Sequence, residues 1–395
     1  MKRYAYFILL LFLCLQACKT ESISTTKKSA DTRSTPSVTE SIDQLRLTQW
    51  TQLEGWEEDE LLPAWQTFKQ SCTALKHQPN WQAVCKKANL LEQTNEQAIR
   101  LFFESQLVPY QVFNSNGSDT GLITGYYEPL LRGSKKPNEK YRYPIYSRPD
   151  DLLTIDLGKA YPEFKDLQLR GRLDGRKIVP FYTRAEIENG TGTATLKGRE
   201  LLWVDDQVEL FFLHVQGSGR IQLENGEMIK VGYADQNGHP YVSIGSRLVQ
   251  QGELPLEKAS MQGIKRWGQL NPDKLIGLLH QNSRYVFFRM LPDTLSGPLG
   301  SLGVPLTAGR SLAIDPRIVP QGAPVFLSTT WPNSNKPLNR LMVAQDTGSA
   351  IKGGVRADFF WGFGKEAENQ AGKMKQNGKM WVLLPKDMSI SPASR

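Results

Sequence analysis

The chain from Gly121 onward consists of short apolar runs separated by glycine, proline and asparagine. With 33 Gly and 23 Pro in 395 residues, turns must be frequent. Short apolar runs between turn residues are typical of strands, and they leave little uninterrupted chain for a helix bundle. Residues 45–107, by contrast, have a mainly helical pattern. The sequence therefore predicts a mainly β protein with helical flanks, which is an α+β fold.

A β-hairpin gives the strongest local signal. Arg220–Glu224 and Glu227–Tyr233 alternate apolar and polar residues, and Asn225-Gly226 between them is the pair that a type I′ turn prefers. Thr124–Arg132 predicts a strand and a turn. Other apolar runs predict strands at Leu201–Val204, Leu210–Val215, Tyr285–Arg289, Ser311–Ile314, Val325–Leu327, Leu341–Ala344 and Met380–Leu384. Helices are predicted at Leu256–Trp267, Pro272–Gln281 and Lys365–Gln376, and Thr94-x-x-Gln97 is typical of a capping box.

The order of these elements predicts two domains. The strand-rich middle at residues 121–255 is flanked on both sides by chain with helical patterns. This order suggests an inserted domain within an outer domain built from residues 45–120 and 256–395. The groove between two such domains is a common site for an elongated ligand.

The N-terminus has the pattern of a secretory signal. Lys2 and Arg3 precede the apolar run Tyr4–Leu13, which is well short of the ~20 residues that a membrane-spanning helix needs. We therefore expect residues 1–17 to be a lipoprotein signal peptide.

The end of this signal resembles the bacterial lipobox. In Leu15-Gln16-Ala17-Cys18, cleavage would precede the cysteine, which would then carry acyl chains. Lys19 follows, and by resemblance to bacterial lipoproteins a residue other than Asp there favours the outer membrane. We expect Cys18 to be a lipid anchor at the periplasmic face of the outer membrane, and residues 18–44 to be a flexible tether. The alternative is a plain signal peptide in which Cys18 is incidental.

Two of the four cysteines remain for the folded part of the chain, Cys72 and Cys85. Helices are predicted at Glu57–His77 and Trp81–Glu92, with Gln78-Pro79-Asn80 as the turn between them. The two cysteines lie at equal distances in sequence from the Gln78–Pro79 bond, so a helical hairpin would place them side by side. An exported chain meets an oxidising compartment, and we expect a structural disulfide. Two free buried thiols are the alternative, and a redox pair would need Cys-x-x-Cys spacing.

Several kinds of chemistry lack the residues that they need. The four histidines are scattered without the spacing of metal ligands, so we expect no metal. No Walker loop occurs, and the glycine-rich segment 297–303 is not preceded by the strand of a phosphate site. Basic residues are dispersed without a helix-turn-helix or RNA-binding signature, so nucleic acid is not an expected partner. We expect no cofactor, which leaves carboxylate chemistry or binding alone.

Three aspartates near the C-terminus end or interrupt apolar segments. Asp315 precedes a proline, Asp346 precedes Thr-Gly, and Asp358 precedes Phe359-Phe360-Trp361. A turn or cap is the preferred interpretation of Asp315, and Asp346 is equally suited to an Asx turn. Asp358 differs because aromatic neighbours would desolvate its carboxyl, raise its pKa and favour a protonated acid.

With these aspartates, a set of short motifs resembles the membrane-bound lytic murein transglycosylase A family. The other motifs are Thr124-Gly125-Tyr126-Tyr127-Glu128-Pro129, His214-Val215-Gln216-Gly217-Ser218-Gly219, Asn237-Gly238-His239-Pro240-Tyr241 with Ser243-Ile244-Gly245, and Gln281-Asn282 with Tyr285-Val286-Phe287-Phe288. Each motif is weak alone, but the set occurs in this order over residues 121–384 and is specific as a whole.

The resemblance implies a double-psi β-barrel domain and an inserted, smaller, β-barrel-like domain, with a glycan-binding groove between them. It implies an enzyme that cleaves the β-1,4 bond between N-acetylmuramic acid and N-acetylglucosamine in peptidoglycan strands and forms 1,6-anhydromuramoyl ends. It also implies that Asp358 is the single catalytic acid/base, with Asp346 and Asp315 as supporting residues.

Further residues are expected at the groove. The resemblance places Thr124, Gln216 and Ser218 among the segments that line it, although turns of a barrel that need glycine are an alternative for these motifs. Tyr126, Tyr127 and Trp361 are candidates for aromatic contacts with sugar rings. For any one of these aromatic residues, core packing is the preferred interpretation.

The charge and the N-terminal pattern also fit a second class of function, which is binding without catalysis. The formal net charge of +8 falls to +6 when Lys2 and Arg3 leave with the signal. That charge suits a wall polymer bearing peptide carboxylates, although solvated surface charge is the alternative. A non-catalytic peptidoglycan-binding lipoprotein of the outer membrane would therefore also fit, and it predicts binding without any soluble product.

Overall fold

A computed structural model describes the chain over residues 44–92, 94–164, 169–192 and 195–388. The predicted signal peptide at residues 1–17, Cys18 and the predicted tether apart from its last residue lie outside the described residues. Within the described part, no helix is long and apolar enough to cross a membrane.

The N-terminal part of the described chain is helical, as the sequence predicts. α1 (Leu61–Leu75) and α2 (Pro79–Leu90) form a hairpin, and α3 (Glu96–Gln106) follows. Pro79 is in the first turn of α2, where its missing N–H costs no helical hydrogen bond. The structure joins Cys72 of α1 to Cys85 of α2 in a disulfide.

The predicted capping box before α3 is wrong by one residue. Asn95, not Thr94, is the N-cap, and its side chain accepts a hydrogen bond of 2.9 Å from the Ala98 backbone N–H. Asparagine is preferred over threonine at the N-cap, where the side-chain oxygen accepts a hydrogen bond from a free N–H group of the first turn.

Strands make up most of the remaining described chain. They are β1 (Leu45–Leu47), β2 (Leu107–Val112), β3 (Gly121–Glu128), β4 (Leu130–Ser134), β5 (Tyr143–Tyr146), β6 (Leu153–Ile155), β7 (Leu169–Asp174), β8 (Lys177–Val179), β9 (Glu200–Val204), β10 (Ser218–Leu223), β11 (Met228–Gln236), β12 (Val286–Leu291), β13 (Ser311–Ile314), β14 (Pro324–Thr330), β15 (Pro337–Thr347), β16 (Ala357–Phe363) and β17 (Lys375–Pro385). The further α-helices are α4 (Arg184–Glu188), α5 (Gln207–Gln216), α6 (Ile244–Gln250), α7 (Met261–Leu270), α8 (Pro272–His280) and α9 (Lys365–Lys373).

Six of these strands close into a barrel. They pair in the order β3–β16–β13–β15–β14–β17, and β17 pairs again with β3. Two neighbouring pairs, β13 with β15 and β3 with β16, are parallel, and β2 and β1 extend the sheet from β17. The predicted fold class, mainly β with helical flanks and a barrel, is confirmed.

The barrel and helices α1–α3 share one apolar core. Trp56, which precedes α1, lies 5.7 Å from Phe326 of β14 and 6.4 Å from Phe103 of α3, measured between ring centroids. Trp65 and Phe68 of α1 are fully buried in the same cluster. Since burying one large apolar side chain contributes roughly 1.5–3 kcal/mol, this cluster holds the helices against the barrel.

A second sheet of six strands has the order β12–β11–β10–β4–β9–β5. A single bridge from Ser147, just after β5, to Phe288 of β12 brings its two outer strands together. The predicted hairpin is confirmed, because β10 and β11 are antiparallel and joined by the segment that contains Asn225-Gly226. We call this second sheet the insert sheet. β6, β7 and β8 form a small separate sheet.

The predicted strand Leu210–Val215 is wrong, because this segment lies within helix α5. Asp206 caps the helix by accepting hydrogen bonds from the N–H groups of Val208 and Glu209. Gly217 ends it in the left-handed conformation, with φ of 78°. The run is apolar on nearly every side because α5 is buried, and such a run has no period that separates helix from strand.

The two sheets do not follow the predicted domain boundaries. β3 lies within the predicted insert of residues 121–255, but it is a barrel strand. β12 lies beyond that segment, but it belongs to the insert sheet. Both strands lie where the chain passes between the sheets, and composition does not mark such a crossing. The division into domains stays a prediction.

Candidate active site

The parallel pairing of β3 with β16 brings two predicted site residues together. In this register Thr124 lies opposite Asp358, and Tyr126 lies opposite Phe360. Since side chains alternate along a strand, these four residues share one face. Thr124 Oγ1 donates a hydrogen bond of 2.6 Å to Asp358 Oδ1.

The Thr124 hydroxyl is oriented by a cation. Arg356 Nη1 donates to Thr124 Oγ1 at 3.0 Å and to the carbonyl of Ala357 at 2.7 Å. Because the threonine oxygen accepts from Arg356, its own proton points to Asp358. The chain Arg356–Thr124–Asp358 therefore fixes one carboxyl oxygen of the aspartate and leaves Oδ2 for other partners.

The environment of Asp358 favours a proton. Burial raises the pKa of Asp358 above its ordinary value, while the hydrogen bond from Thr124 and the charge of Arg356 offset only part of that rise. The sequence attributes this rise to three aromatic neighbours. Only Phe360 shares the face of Asp358, because Phe359 and Trp361 alternate to the other side of β16.

Asp346, at the end of β15, lies near this carboxyl. Its Oδ1 accepts a hydrogen bond of 2.9 Å from Ser301 N–H, and its Oδ2 accepts one of 3.1 Å from the Tyr126 hydroxyl. Burial raises the pKa of Asp346 to about 6 against these hydrogen bonds, and the negative charge of Asp358 adds to the rise. Burial and both carboxylates also raise the pKa of Tyr126. The two acids and the phenol thus lie close enough for their charges to interact.

We expect Asp346→Asn to stabilise the protein at pH 7.5 and to have little effect at pH 4. The folded-state pKa of about 6 lies above the ordinary value of 3.8, so wild type loses stability as pH rises from about 4 to 6. Asparagine carries no charge and escapes that loss. Thermal unfolding of both proteins at the two pH values measures the difference, which should be a few degrees.

Asp315→Asn is the matched control, since the sign is opposite there. Despite burial, hydrogen bonds from Arg317 and Gly353 hold the pKa of Asp315 below its ordinary value, so its contribution to stability is present at neutral pH and is lost as pH falls. This variant should therefore be less stable than wild type at pH 7.5, with a smaller deficit at low pH. A stability gain for Asp346→Asn that is equal at both pH values would contradict the assignment.

Within the described residues, Asp315 holds a turn in place through hydrogen bonds. Its buried carboxyl accepts hydrogen bonds of 2.9 and 2.6 Å from the Arg317 guanidinium and one of 2.9 Å from Gly353 N–H. Burial alone would raise its pKa, but these donors hold the pKa of Asp315 below its ordinary value. Among the described residues, no hydrogen bond joins Asp315 to Asp346 or Asp358. The turn interpretation describes it best.

Trp361 lies on the opposite face of the strand pair from Asp358. Its ring packs 4.5 Å from Phe359 and 5.4 Å from Trp331, and its N–H points to the sulfur of Met374 at 3.2 Å. A side chain at Gly125 would come within 2.6 Å of Trp361 Nε1, so only glycine fits there. These contacts are core packing, which is also the interpretation that the sequence favours for Trp361.

Tyr127 shares that opposite face and lines a groove of about 890 Å³. The groove lies between insert residues such as Arg132 and Asp205 and barrel-side residues such as Lys365. Neither Asp346 nor Asp358 lines it. The structure therefore separates Tyr127 and Trp361 from Asp358, and it keeps Thr124 and Tyr126 beside it.

Gln216 and Ser218 lie where the insert sheet meets the barrel. Gln216 Oε1 accepts a hydrogen bond of 3.1 Å from Tyr127 N–H, so the end of α5 is attached to β3. Ser218 is buried at the start of β10. Gln216 therefore contacts the strand that carries Thr124, and neither Gln216 nor Ser218 has a hydrogen bond to Asp358 within the described residues.

A buried ion pair at this junction was not predicted. Arg220 of β10 donates two hydrogen bonds, of 3.0 and 2.9 Å, to Glu128 Oε2 at the end of β3. Glu128 is 1% exposed, and Arg220 also lies 3.9 Å above the ring of Phe363. Glu128 occurs in a quoted motif and Arg220 begins the predicted hairpin, but their sequence separation of 92 residues gave no signal that they meet.

Within the described residues, no group of three or more His, Cys, Asp or Glu side chains is placed to hold a metal ion. The groups that this arrangement offers for chemistry are those of Asp358, Asp346, Thr124 and Tyr126. They provide an acid with a raised pKa, a second acid, and hydroxyl groups that orient both.

Comparisons with known proteins agree with the motifs. Residues 122–289 match the model of the MltA-specific insert domain, and residues 310–384 match that of the 3D domain. A membrane-bound lytic murein transglycosylase A of Vibrio cholerae is 30% identical over 308 residues, which are 74% of this chain and 75% of that protein. The chain belongs to the membrane-bound lytic murein transglycosylase A family. The family member of Escherichia coli K12 is 34% identical over 269 residues, which span 66% of this chain and 65% of that protein.

Solved structures of the transglycosylase A family share the fold. A crystal structure of MltA from Neisseria gonorrhoeae is 40% identical, has a TM-score of 0.75, and covers 87% of this chain and 93% of its own. The E. coli MltA crystal structure with bound chitohexaose is 27% identical with a TM-score of 0.60, and covers 81% of this chain and 90% of its own.

Proposed function

We propose that this protein is a lytic transglycosylase that acts on peptidoglycan. It cleaves the β-1,4 bond between N-acetylmuramic acid and N-acetylglucosamine and leaves a 1,6-anhydromuramoyl end. Membership of the family supports the reaction class, and the chitohexaose bound to the E. coli relative supports a glycan as the ligand. The observation that carries the proposal is Asp358, an acid with a raised pKa and one oxygen fixed by Thr124.

In the first step, Asp358 acts as the acid. Thr124 occupies Oδ1, so Oδ2 is the oxygen left to hold the proton. That proton passes to the glycosidic oxygen as the bond to C1 of the muramoyl residue breaks, and positive charge develops on the sugar ring. The leaving strand departs with a free hydroxyl, and Asp358 becomes a carboxylate.

In the second step, the same residue acts as the base. The Asp358 carboxylate takes the proton from the C6 hydroxyl of the muramoyl residue, and the C6 oxygen bonds to C1 of the same ring. The aspartate is protonated again, so protons balance over the cycle. No activated water is needed, and an intramolecular nucleophile has a high effective concentration.

Asp346 has a supporting role in this proposal. Its two oxygens accept hydrogen bonds from Ser301 and Tyr126, which hold the carboxyl group in place. When Asp346 is ionised, its charge favours a protonated Asp358 and a positive sugar ring. The supporting role of Asp346 distinguishes the site from an ordinary glycosidase, in which one carboxyl group is the acid and a second is the base or nucleophile.

The site of action follows from the N-terminal pattern. We infer that residues 1–17 are removed, that Cys18 is lipidated and that the protein is held at the periplasmic face of the outer membrane. The relatives are named membrane-bound, which supports a membrane location in this proposal. The basic net charge supports an acidic wall polymer as the partner.

The products of murein sacculi test this function. Purified protein should release muropeptides that end in 1,6-anhydromuramic acid, identified by mass spectrometry. Release of reducing ends only would make the protein a hydrolase, with Asp346 as the candidate second carboxylate. Sedimentation with sacculi and no soluble product would support the rival function, a non-catalytic peptidoglycan-binding lipoprotein.

A further inference from the structure

Two arginines bind one buried aspartate of the insert sheet, and a third lies beside the same strand. Asp235 of β11 is 7% exposed, and its Oδ2 and Oδ1 accept from Arg148 Nε at 3.0 Å and Arg170 Nε at 2.9 Å. Arg284 lies beside the hydroxyl of Tyr233, two residues before Asp235 on the same strand. We call Arg148, Arg170 and Arg284 the arginine patch.

The arginine patch carries more positive charge than its surroundings neutralise. Asp235 is the only carboxylate within ion-pair distance of Arg148 or Arg170 in the described part of the chain, and Arg284 has none there. Three guanidinium groups therefore share one negative charge. Burial lowers the pKa of Arg284, which reflects the cost of holding a cation there without an anion.

The arginine patch also has N–H groups that are available to a ligand. Arg148 uses Nε for Asp235 and Nη2 for the Leu152 carbonyl, and among the described residues its Nη1 has no partner. The Arg148 side chain is 44% exposed, and Tyr233 is 40% exposed. By contrast, the Arg170 side chain is 12% exposed and packs on the backbone of Gly238. Arg170 thus holds the patch together, while Arg148 and Arg284 can meet a ligand.

The patch lies at the barrel end of the insert sheet. Ser218 begins β10 two residues after Gln216, which is bonded to β3, and Ser218 pairs with Gly232 of β11. Because β11 is antiparallel to β10, its residues from Tyr233 onward extend past Ser218 toward the barrel. Arg284 precedes β12, which starts opposite the last residue of β11. The patch is therefore at the same end of the sheet as the strand that carries Thr124.

A carboxylate is the ligand that this chemistry fits. Guanidinium groups bind carboxylates through paired, charge-assisted hydrogen bonds, and a second arginine nearby strengthens such binding. A peptidoglycan strand carries carboxylates on its stem peptides, whereas its sugar backbone between the peptides is mostly neutral. We propose that the arginine patch binds a stem-peptide carboxylate of the glycan strand held at Asp358, an inference that rests on the proposed function.

The test compares two soluble substrates. One is uncrosslinked glycan strands with their peptides, and the other is chitohexaose, a sugar chain that carries no carboxylate. Arg148→Gln and Arg284→Gln should each weaken binding of peptide-bearing strands about tenfold, measured as Kd with fluorescently labelled ligands. Binding of chitohexaose should stay unchanged. Arg247→Gln, on an exposed arginine of α6, is the matched control.

The outcomes separate this inference from the proposed function. An equal loss on both substrates, or no loss on either, would overturn the peptide-binding role. Circular dichroism spectra that match wild type exclude misfolding as the cause, and Arg284→Lys should recover part of the affinity for peptide-bearing strands. Products are analysed in the same samples. If wild type forms no anhydro ends but the two variants still lose peptide-dependent binding, the proposed function fails and the binding site stands.

Discussion

Replacing Asp358 by asparagine should lower kcat for release of anhydro ends by about 10³-fold, with little change in KM. General acid and base catalysis contributes roughly 10²–10⁴-fold, and here one residue supplies both. Asparagine still accepts the hydrogen bond from Thr124, so the geometry of β3 and β16 is kept. The asparagine amide is too weak an acid to protonate the glycosidic oxygen and too weak a base to take the proton from the C6 hydroxyl. Initial rates on sacculi, with quantified anhydro products, measure the loss.

The same substitution should stabilise the folded protein at neutral pH. Burial raises the pKa of Asp358, so ionisation is harder in the folded state than in the unfolded chain. Wild type therefore loses stability as pH rises past the ordinary carboxyl pKa, and the asparagine variant does not. An inactive variant with a higher Tm at pH 7.5 separates a catalytic role from a folding defect.

Asp346→Asn is the informative comparison for the mechanism. If Asp358 alone exchanges the protons, this variant should lose about tenfold and still form anhydro ends, because only the supporting charge is gone. Equal losses of about 10³-fold for both variants would instead indicate two catalytic carboxylates. An Asp358→Asn protein that forms anhydro ends at the wild-type rate would remove Asp358 from the mechanism altogether.

The sequence predicts the parts of this site that depend on residues near one another in the chain, and it misses contacts between distant segments. The segment with Asp358 is local, and its motif predicts an acid with a raised pKa, the direction that burial also gives in the structure. The cause differs in part, because alternation along β16 leaves only Phe360 on the same face. The side chains of adjacent residues on a strand thus lie on opposite faces of the sheet.

Other contacts depend on pairing that no local pattern encodes. Thr124 and Asp358 are separated by 234 residues, and only the register between β3 and β16 makes them partners. For Trp361 the sequence favours core packing, but only the strand pairing shows that its ring lies on the other face from Asp358. The error at Leu210–Val215 has another cause, since a buried apolar run has no period that separates helix from strand.

Replacing Arg220 by methionine should lower the free energy of unfolding by about 3–5 kcal/mol at pH 7.5. The substitution keeps an apolar stem near Phe363 but removes the cation that pairs with Glu128, which is 1% exposed. An ion left buried without its partner typically costs this much. Urea unfolding of the variant and wild type at several pH values measures the difference.

The deficit should shrink as pH falls. Burial already raises the pKa of Glu128, and Arg220 offsets part of that rise. Without Arg220 the folded-state pKa rises further, so stability lost at high pH returns when Glu128 takes up a proton below that pKa. At pH 5 the variant should therefore be closer to wild type than at pH 7.5. A deficit that is constant with pH would mean lost packing, not an unpaired carboxylate.

The double variant Glu128→Gln with Arg220→Met decides what the ion pair is for. Glutamine removes the buried charge, so most of the lost stability should return and its pH dependence should vanish. The pair also connects β10 of the insert sheet to β3, the strand that carries Thr124, and Arg220 N–H donates to the Pro129 carbonyl at 2.8 Å. If the pair positions the insert sheet against the barrel, the double variant should be stable yet bind glycan strands less tightly than wild type. Recovery of both stability and affinity would limit the pair to folding.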